Sequence, residues 1–562
     1  MKNTEYMYVD GIPVAINGEK NMLQVIRKTG VKLPTFCYHT DLSIYGACRM
    51  CMVEDERGNL YTACSTPPRD GMSIKTNTAR LRKYRKNILE LLLANHCRDC
   101  TTCANNKSCK LQDLAVRFNI EGVRFPNRAD DNKVTNSSAS IVFDSGKCIL
   151  CGDCVRTCHE VQNVGAIDFA FRGSKMLIST AFGKPLSETM CVGCGQCAVA
   201  CPTGAITARS EIQKVWDAIS NPSVKTVVQV APAVRVALGN MVGIPEGKDV
   251  SGLIFAALRK MGFDEVFDTS FGADITVLEE SKEFLERLKE GKRLPIITSC
   301  CPAWIQYCEK KHPELMENVS TCRSPMEMFA SVIKEERQER GKKLFHVAVM
   351  PCTAKKFEAQ REEFLGKDGS RNVDAVITTD ELTHMLKEAG ILLNEIDPEP
   401  VDHPYDNASG AAVIFGVTGG VTEAVLRNVV KDKSRSALMK LSNVGERGNE
   451  GLKIFELTTE DGVGLRIGVA SGLANAEKLL GMLKNGEKFD IIEIMACPGG
   501  CVAGGGQPFV HAEVRKTRGK GLYDADRMLS IRHSESNDSV KALYARLLKG
   551  REHELLHVHY KK

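Results

Sequence analysis

The number and grouping of the cysteines constrain this chain more than any other feature of its sequence. There are 23 cysteines among 562 residues, and they occur in clusters rather than singly. Residues 1–18 contain no apolar stretch of signal-peptide length, so we expect a cytoplasmic protein, in which thiols stay reduced. Metal binding is therefore the leading interpretation, and the spacing has to distinguish one kind of metal centre from another.

Two short runs repeat the same cysteine spacing. In CILCGDCVRTC and CVGCGQCAVACP the cysteines fall at positions i, i+3, i+6 and i+10. In two-cluster ferredoxins the fourth cysteine of each run binds the 4Fe–4S cluster of the other run. The first predicted ligand set is therefore Cys148, Cys151, Cys154 and Cys201. The second is Cys191, Cys194, Cys197 and Cys158. Paired zinc sites are the alternative, but zinc motifs seldom repeat this spacing.

A different set of four cysteines lies nearer the start of the chain. Its members are Cys37, Cys48, Cys51 and Cys64. The spacing differs from that of plant ferredoxins. It resembles the 2Fe–2S domain of the large iron–sulfur subunit of respiratory complex I. A zinc site remains the alternative for these four residues.

A mixed histidine and cysteine motif lies between these groups, in HCRDCTTCANNKSC. Its predicted ligands are His96, Cys100, Cys103 and Cys109. The same spacing holds a 4Fe–4S cluster in the complex I subunit and in large hydrogenases, which this motif resembles. A zinc site with three cysteines and one histidine is the alternative. The position between two other cluster motifs favours iron–sulfur, and Cys97 is left as a neighbouring thiol.

From about residue 211 the sequence changes character. Short apolar runs such as KTVVQVAP, LFHVAVMPC and FDIIEIMAC alternate with amphipathic stretches such as SGLIFAALRKM and ANAEKLLGMLKN. Short buried strands that alternate with helices predict a parallel sheet built from crossover units. We therefore place the main domain boundary near residue 210.

Three cysteine segments in this later part each follow a predicted strand: TSCCPAW, MPCTAKKFE and EIMACPGGCVAGGGQP. Ligands bind beyond the carboxyl ends of strands in open α/β sheets, so these distant segments are expected to converge. The four candidate thiol ligands are Cys301, Cys352, Cys497 and Cys501. Glycines at 499–500 and 504–506 allow the backbone to approach a bulky centre. The alternative is that these are unrelated cysteines buried in a core. That is plausible for any one of them but poor for all four at strand ends.

These three segments resemble the signature of the iron-only (FeFe) hydrogenases, and the resemblance extends over essentially the whole chain to LLHVHY. The N-terminal motifs resemble those of large clostridial-type members with four accessory clusters. The resemblance implies an H-cluster: a 4Fe–4S cubane on the four cysteines, bridged by Cys501 to a di-iron unit with carbon monoxide, cyanide and azadithiolate. It implies reversible reduction of protons to hydrogen.

The resemblance also implies roles around the di-iron unit. Lys355 is expected to meet a cyanide, and Cys300, which is not a ligand, to exchange protons with the azadithiolate. Four residues are expected to enclose the unit in an apolar pocket: Ala231, Pro232, Met350 and Met495.

A proton route to water is expected along one helix. Glu280, Glu283 and Arg287 fall on one helical face, and the resemblance implies that Ser320 joins them to Cys300. Arg287 is expected to lie nearest to solvent. Without the resemblance, this face is more typical of a solvated charge stripe.

Some positions depart from the family pattern. Met326 stands where glutamine is usual, Cys322 and Arg323 replace an Ala-Lys pair, and Thr422 replaces methionine. These changes leave the reaction class unaffected and leave its direction and oxygen tolerance open. Cys308 and Cys322 are predicted to be structural thiols.

The predicted fold is a multidomain α+β and α/β protein with small ferredoxin-like iron–sulfur domains before a large two-lobed catalytic domain with parallel-rich sheets. The predicted boundaries are a 2Fe–2S domain at 1–80, a His/Cys₃ 4Fe–4S domain at 81–125, a two-cluster domain at 126–210 and the H-cluster domain at 211–562. One 2Fe–2S and three accessory 4Fe–4S clusters accompany the H-cluster.

The expected partners are ferredoxin or a similar small electron carrier, and maturases during assembly. The cluster-bearing N-terminal part has no G-x-G-x-x-G nicotinamide fingerprint. The basic run Arg80–Lys86 is a candidate ferredoxin contact, although a solvated helix face is the more usual reading. A net charge of +5 does not indicate nucleic acid, and no apolar run is long enough to span a membrane.

Two other functions compete with this prediction. An electron-transfer subunit of the complex I or formate dehydrogenase type explains the first 210 residues but not the three later cysteine segments. An iron–sulfur assembly factor related to hydrogenases resembles the later part, but such factors usually lack the long N-terminal relay and a thiol like that of Cys300.

Overall fold

The computed structural model describes residues 4–129, 135–337, 342–366, 368–432, 434, 436, 451–459, 462–508 and 512–560. Within these ranges, no helix combines the length and the apolar character that a membrane crossing requires.

A five-stranded mixed sheet forms the first unit. In spatial order its strands are Ile12–Ala15, Tyr6–Val9, Ser73–Lys75, Met52–Asp55 and Leu60–Thr62. The helix Met22–Arg27 covers the sheet, and the Asn21 side chain accepts the Gln24 N–H at its start. Alternate strand residues such as Met7 and Val53 are fully buried against this helix, as expected for a sheet with one covered face.

The helix Ala79–Ala94 follows and carries the basic run. The Thr78 side chain caps it by accepting the Leu81 N–H. Arg85 is buried and donates hydrogen bonds to three backbone carbonyls, including that of Met52 at 2.7 Å. The prediction that the whole run is a surface contact is therefore wrong for Arg85, whereas its other four basic residues are exposed.

Short elements frame the two repeated cysteine runs. The strands are Thr135–Ser137, Ile141–Asp144, Asp168–Ala170, Leu177–Ser179 and Ile206–Ala208. The α-helices of this part and of the preceding motif are Lys110–Arg117, Asp153–Arg156 and Gln196–Ala200. Ile206–Ala208 pairs antiparallel with Ile141–Asp144, which holds the two ends of the unit together.

Two four-stranded sheets organise the remainder of the chain. The first is entirely parallel, in the spatial order Glu265–Asp268, Val224–Val230, Lys343–Met350 and Ala375–Thr378. The second is mixed, in the order Ile296–Ile297, Ile491–Met495, Gly464–Ser471 and Leu452–Thr458. The alternation of strands and helices expected from the sequence is observed here, and the predicted helix SGLIFAALRKM is Ser251–Met261.

Helices cover both sheets. Their bounds are Ile212–Ile219, Ser251–Met261, Ser270–Glu290, Pro302–Lys311, Pro325–Glu336, Ala354–Glu358, Thr379–Glu388, Gly410–Val413, Gly420–Val429, Leu473–Lys484, Ala512–Met528, Asp538–Leu543 and Glu552–Leu556. The long helix Ser270–Glu290 packs against Pro325–Glu336, where Phe271 and Phe329 are fully buried. The apolar face of the long helix that carries Phe271 is packed against the second helix. This contact fixes which of its other residues point toward the sheets.

The second cysteine run is joined directly to the sheet unit. The Thr353 hydroxyl donates a hydrogen bond to the Gly193 carbonyl at 2.7 Å. The Gln196 side-chain amide donates to the Ala503 carbonyl at 2.9 Å. Gly505 lies against the backbone of this run, so that a Cβ at Gly505 would come within 2.7 Å of the Gly195 Cα. Backbone therefore contacts backbone across this joint.

We expect Gly505→Ala to destabilise the joint, because the added methyl group would overlap backbone atoms that have no rotamer to change. Overpacking of this kind costs about 1–3 kcal/mol. Gly481→Ala is the matched control, since a Cβ there meets nothing within 4 Å in the helix Leu473–Lys484. That control should gain up to about 1 kcal/mol. Thermal unfolding followed by cluster absorbance measures both changes, and equal midpoints for the two variants would contradict the close contact.

Candidate active site and cluster sites

A largely apolar cavity lies where the strand ends of the two sheets meet. Its cavity volume is about 90 Å³. The four predicted thiol ligands line it, together with Cys300 and Lys355. The other lining residues that the sequence predicted are Ala231, Pro232, Met350 and Met495.

Each thiol is positioned by the end of a strand or the start of a helix. Cys301 is the residue before the helix Pro302–Lys311, and its sulfur accepts the Ala496 N–H at 3.5 Å. Cys352 lies two residues beyond the end of the strand Lys343–Met350. Parallel strands end at the same edge of a sheet, which brings segments far apart in sequence into one cavity.

The thiol set fits a metal cluster. Burial, with a contribution from the neighbouring charge of Cys301, raises the pKa of Cys352 to about 11. Burial likewise raises the pKa of Cys497 and Cys501, and Cys352 and Cys301 add to both shifts. Four mutually repelling thiolates in an apolar cavity require cationic metal as a counter-charge, since the thiolate is the metal ligand. The donor set therefore suits the cubane that the sequence predicted.

Lys355 is held in place by a buried ion pair that the sequence prediction missed. Its Nζ donates to Glu358 Oε2 at 2.6 Å and to the Cys300 carbonyl at 3.3 Å. Burial alone lowers the pKa of Lys355, but the charge of Glu358 raises it above its usual value. Lys355 therefore brings a fixed positive charge to the cavity wall. The spacing of three residues on a helix was the signal for this pair.

One glycine near the cavity is required by its surroundings. Gly500 has φ +92, and a Cβ there would lie 2.6 Å from the Thr418 backbone nitrogen. No other residue type allows both this backbone conformation and this contact. The glycine thus lets the segment that carries Cys501 close the cavity.

The predicted proton-relay residues lie together beneath the cavity. The Ser320 hydroxyl donates to Glu283 Oε2 at 2.8 Å, and Arg287 donates to Glu283 Oε1 at 2.5 Å. The Glu280 carboxyl lies within hydrogen-bonding reach of the same Ser320 hydroxyl and is otherwise buried without a partner among the described residues. Glu280 and Arg287 are 2% and 1% exposed. These residues are therefore not a solvated charge stripe.

Burial determines the protonation of Glu280. It raises the pKa of this carboxyl to about 8, and the charges of Glu283 and Glu493 contribute to the same shift. Glu493, which the sequence prediction missed, lies on a buried strand and accepts the Gly419 and Thr422 N–H groups at 2.7 and 2.8 Å. Glu280 is consequently a neutral acid at pH 7.

The expectation that Arg287 lies nearest to solvent is wrong. Its guanidinium donates to the Asn318 and Val319 carbonyls at 2.8 and 2.9 Å, which holds it inside the protein. Glu283 is the more exposed member of the pair, at 11% of its side chain. An i, i+7 position on a helix fixes the face of a residue but not the depth at which that face is buried.

The structure groups the two repeated cysteine runs as the crossing rule predicts. Cys201 acts electrostatically on Cys148, Cys151 and Cys154 of the first run. In the second group, Cys158 acts on Cys194 and Cys197, and Cys191 belongs to the same group. Burial is the main cause of the raised thiol pKa of Cys148, Cys151 and Cys154 in the first group and of the four thiols in the second. Each set of four therefore meets the same need for cationic metal as the cavity thiols.

The two remaining cysteine motifs also come together. The thiol of Cys37 is within hydrogen-bonding reach of Cys48 and Cys64, and Cys51 is within reach of Cys64. A second group consists of Cys100, Cys103 and Cys109: Cys103 acts electrostatically on Cys100, and both act on Cys109.

His96 lines a cavity with Cys100 and Cys109, and its Nε2 is buried without a hydrogen-bond partner among the described residues. Burial lowers its pKa. A neutral imidazole with an unpartnered nitrogen beside three thiols fits a metal site. Cys97 lies beside it, with its sulfur 3.9 Å from His96 Nδ1.

The departures from the family pattern have defined locations. Met326 lines the cavity, and Thr422 is buried at the start of the helix Gly420–Val429. Cys308 and Cys322 are both fully buried. Arg323 donates to the His557 carbonyl at 2.9 Å and so lies outside the cavity wall.

Models of known families match most of the chain. The model described as iron only hydrogenase large subunit, C-terminal domain, matches residues 224–505, and the iron hydrogenase small subunit matches residues 512–562. The earlier matches are a 2Fe-2S iron-sulfur cluster binding domain at 6–79, the NADH-ubiquinone oxidoreductase-G iron-sulfur binding region at 85–124 and a 4Fe-4S dicluster domain at 147–205. The predicted fold class is confirmed.

Relatives align with nearly the whole chain. NADP-reducing hydrogenase subunit HndD of Solidesulfovibrio fructosivorans is 41% identical over 99% of this chain and 98% of its own length. Iron hydrogenase 1 of Clostridium pasteurianum is 35% identical over 99% of each chain. The solved structure of FeFe hydrogenase HydA1 from Chlamydomonas reinhardtii is 38% identical, with a TM-score of 0.55 over 63% of this chain and 99% of that one. The chain belongs to the iron-only hydrogenase family.

Proposed function

We propose that this protein catalyses the reversible reduction of protons to hydrogen, with electrons supplied through its N-terminal clusters. The observation that carries the proposal is the convergence of four thiols, Cys300 and Lys355 on one apolar cavity above a buried carboxyl relay. The H-cluster, when bound by Cys301, Cys352, Cys497 and Cys501, supplies the redox chemistry.

The protein's own residues have distinct parts in this proposal. Lys355, fixed by Glu358, presents a cation and hydrogen-bond donor to the anionic cyanides. Ala231, Pro232, Met350 and Met495 exclude water from the cavity. Exclusion of water strengthens every electrostatic interaction inside the cavity.

Protons are proposed to pass between Cys300, Glu280, Ser320 and Glu283. Glu280 is protonated at pH 7 and so can donate, while Ser320 Oγ lies 2.8 Å from Glu283 Oε2 and can both accept and donate. Glu283 is the partly exposed end of the route. Arg287 orients Glu283 through the 2.5 Å hydrogen bond rather than opening the route to water.

The proposed cofactors are one 2Fe–2S cluster, three accessory 4Fe–4S clusters and the H-cluster, in domains 1–80, 81–125, 126–210 and 211–562. The thiol groupings and the family matches support this assignment. Mature protein should then contain about 20 iron atoms per chain. Stoichiometric zinc bound by His96 and its three cysteines would contradict the proposed 4Fe–4S cluster there.

The proposed electron partner is ferredoxin or a similar acidic carrier. Arg80, Arg82, Lys83 and Lys86 remain exposed for such a contact, which should weaken as salt screens it. A second candidate follows from the similarity to HndD, which is named as a subunit of an NADP-reducing hydrogenase. In that arrangement a separate subunit would bind the nicotinamide.

We expect the chain expressed with hydrogenase maturases to show carbonyl and cyanide infrared bands and to evolve hydrogen with reduced ferredoxin but not with NADPH alone. The diatomic ligands cannot come from amino acids, so protein expressed without maturases should carry cubanes, no such bands and no turnover. Full turnover without maturases would refute the di-iron assignment. Turnover with NADPH alone would refute the proposed carrier but not the reaction.

The adjacent residues Cys300 and Cys301 should respond differently to substitution. Cys300→Ala removes a proposed acid and should leave the infrared bands and iron content unchanged while turnover falls about 10²–10⁴-fold. Cys301→Ala removes a proposed ligand and should lose cubane iron. Iron analysis and infrared spectroscopy of both variants test this contrast. Loss of the cluster in Cys300→Ala with retention in Cys301→Ala would mean that the two roles are reversed.

Glu280→Gln should change both turnover and the pH dependence of stability. The folded pKa of Glu280 is raised, so this group stabilises the fold at low pH, and that contribution is lost as pH rises toward about 8. The loss is about 1.4 kcal/mol for each pH unit in this window. As pH rises from 6 to 8, the thermal midpoint of the variant should therefore fall less than that of the native protein.

The same Glu280→Gln variant should keep the infrared bands while turnover falls by at least about 10²-fold, because glutamine cannot titrate. Glu286→Gln, an exposed carboxylate on the same helix, is the control and should change neither quantity. Equal pH dependence of stability in both variants would show that Glu280 titrates as an ordinary carboxyl group.

A further inference from the structure

A buried group of three metal-binding side chains lies beside the carboxyl relay. Glu283, Cys322 and His557 each offer one ligand atom, and these atoms lie within 4.8 Å of one another. Cys322 is fully buried, while the side chains of Glu283 and His557 are 11% and 7% exposed. The group lies outside the apolar cavity and shares with the proposed proton route only Glu283.

The backbone holds this group in place. Cys322 and His557 face each other in an antiparallel bridge, next to a 2.8 Å hydrogen bond from the Val558 N–H to the Thr321 carbonyl. Residues directly opposite in such a pair have side chains on the same face. Glu283 reaches them from the long helix. Three segments distant in sequence are therefore joined at one point without any ligand.

Of the two hydrogen bonds that His557 makes, the one at Nδ1 is with a hydroxyl group, which a metal ion can displace. Its Nε2 lies 3.0 Å from Glu279 Oε2, and its Nδ1 lies 2.8 Å from the Thr321 hydroxyl. Although burial alone raises the pKa of Glu279, hydrogen bonds from His557 and Tyr544 hold it below its usual value. Ionised Glu279 can only accept, so Nε2 carries the proton and Nδ1 keeps its lone pair. A carboxylate behind a histidine is the usual support of a histidine ligand to zinc.

The surrounding charge also favours a cation. Cys322 is buried among Glu279, Glu280 and Glu283, all of which raise its thiol pKa in addition to the effect of burial. Among the described residues that act on these three carboxyl groups, Arg287 is the buried cation; it pairs with Glu283 and is also held by backbone carbonyls. Glu280 is protonated at pH 7, which leaves ionised Glu279 behind His557. A divalent cation would release the thiol proton into solvent on binding, and the Cys322 thiolate and Glu279 would balance its two charges.

We propose that Glu283, Cys322 and His557 form a zinc-binding site, with water as the fourth ligand. One thiolate, one imidazole and one carboxylate are ligand types that zinc accepts in tetrahedral sites. The second part of this inference rests on the proposed function: zinc bound there occupies Glu283 and so blocks proton transfer. The site is thus an inhibitory one that couples hydrogen turnover to free zinc.

The binding test uses mature protein freed of loosely held metal and then equilibrated with zinc in a metal buffer. The native protein should bind one zinc at this site, and its zinc X-ray absorption should show one sulfur at about 2.3 Å and nitrogen or oxygen at about 2.0–2.2 Å. Cys322→Ala and Cys322→Ser should each lose this binding. Cys308→Ala, which removes another fully buried thiol, is the matched control and should retain it.

Unchanged zinc binding in both Cys322 variants, or a spectrum with four sulfurs or none, would overturn the proposed site. Iron content is followed in parallel, because zinc that displaced cluster iron would also give a sulfur-rich spectrum. Since binding is measured without turnover, this result does not depend on whether the protein evolves hydrogen.

The inhibition test compares hydrogen evolution with and without buffered zinc. Zinc should slow the native protein and Cys308→Ala by about 10²-fold, the typical contribution of one positioned acid or base, and leave their infrared bands unchanged. In buffered zinc, both Cys322 variants should evolve hydrogen at the same rates as they do without zinc. Zinc that binds to the site without slowing the native protein would overturn the inhibition. Absence of turnover in every sample without zinc would instead refute the proposed function.

Discussion

The rest of the structure depends on a constraint at the cavity, where four cysteine thiols are buried side by side in apolar surroundings. Such a group is unfavourable as thiolates unless metal supplies the counter-charge, because burial raises each pKa and the charges of Cys301 and Cys352 add to the shifts of their neighbours. The strand ends of two sheets, a glycine with a left-handed backbone at 500 and a helix start at Cys301 all serve this arrangement.

The ionisable groups on the two sides of this cavity lie in contrasting surroundings. On the wall, the positive charge of Lys355 is fixed by its hydrogen bond to Glu358, which raises the pKa of the lysine. Beneath it, Glu280 has the Ser320 hydroxyl within hydrogen-bonding reach but forms no ion pair among the described residues, and burial keeps it neutral at pH 7. A paired charge gives a permanent field, whereas an unpaired carboxyl group can exchange its proton. Lys355 and Glu280 are both buried, and they differ in whether an oppositely charged side chain forms an ion pair with them.

The sequence was most informative for metal sites whose ligands lie only a few residues apart in the chain. The two cysteine runs predicted the crossed groups, including Cys201 with the first run, because i, i+3 and i+6 positions bring sulfurs around one centre whatever the rest of the chain does. Alternating apolar runs likewise predicted the helix Ser251–Met261. The roles of the individual site residues remain predictions.

Sequence reasoning failed where burial depends on distant partners. Arg85 and Arg287 each belong to a stretch that is typical of a solvated helix face, yet each donates to backbone carbonyls supplied by other segments. The pairing of Cys322 with His557, 235 positions apart, has no local signal at all. Helical periodicity gives the direction of a side chain, and only the tertiary structure gives what lies in that direction.

The joint between the second cysteine run and the catalytic unit has a consequence for electron delivery. Gly505 lies so close to the Gly195 Cα that no side chain fits between them, and Cys194 interacts electrostatically with Cys352 and Cys497 across this contact. Two groups of metal-binding thiols are thereby held at a separation set by backbone rather than by mobile side chains. Electron transfer over this last step accordingly needs no domain movement, and its rate should be set by distance, driving force and reorganisation energy.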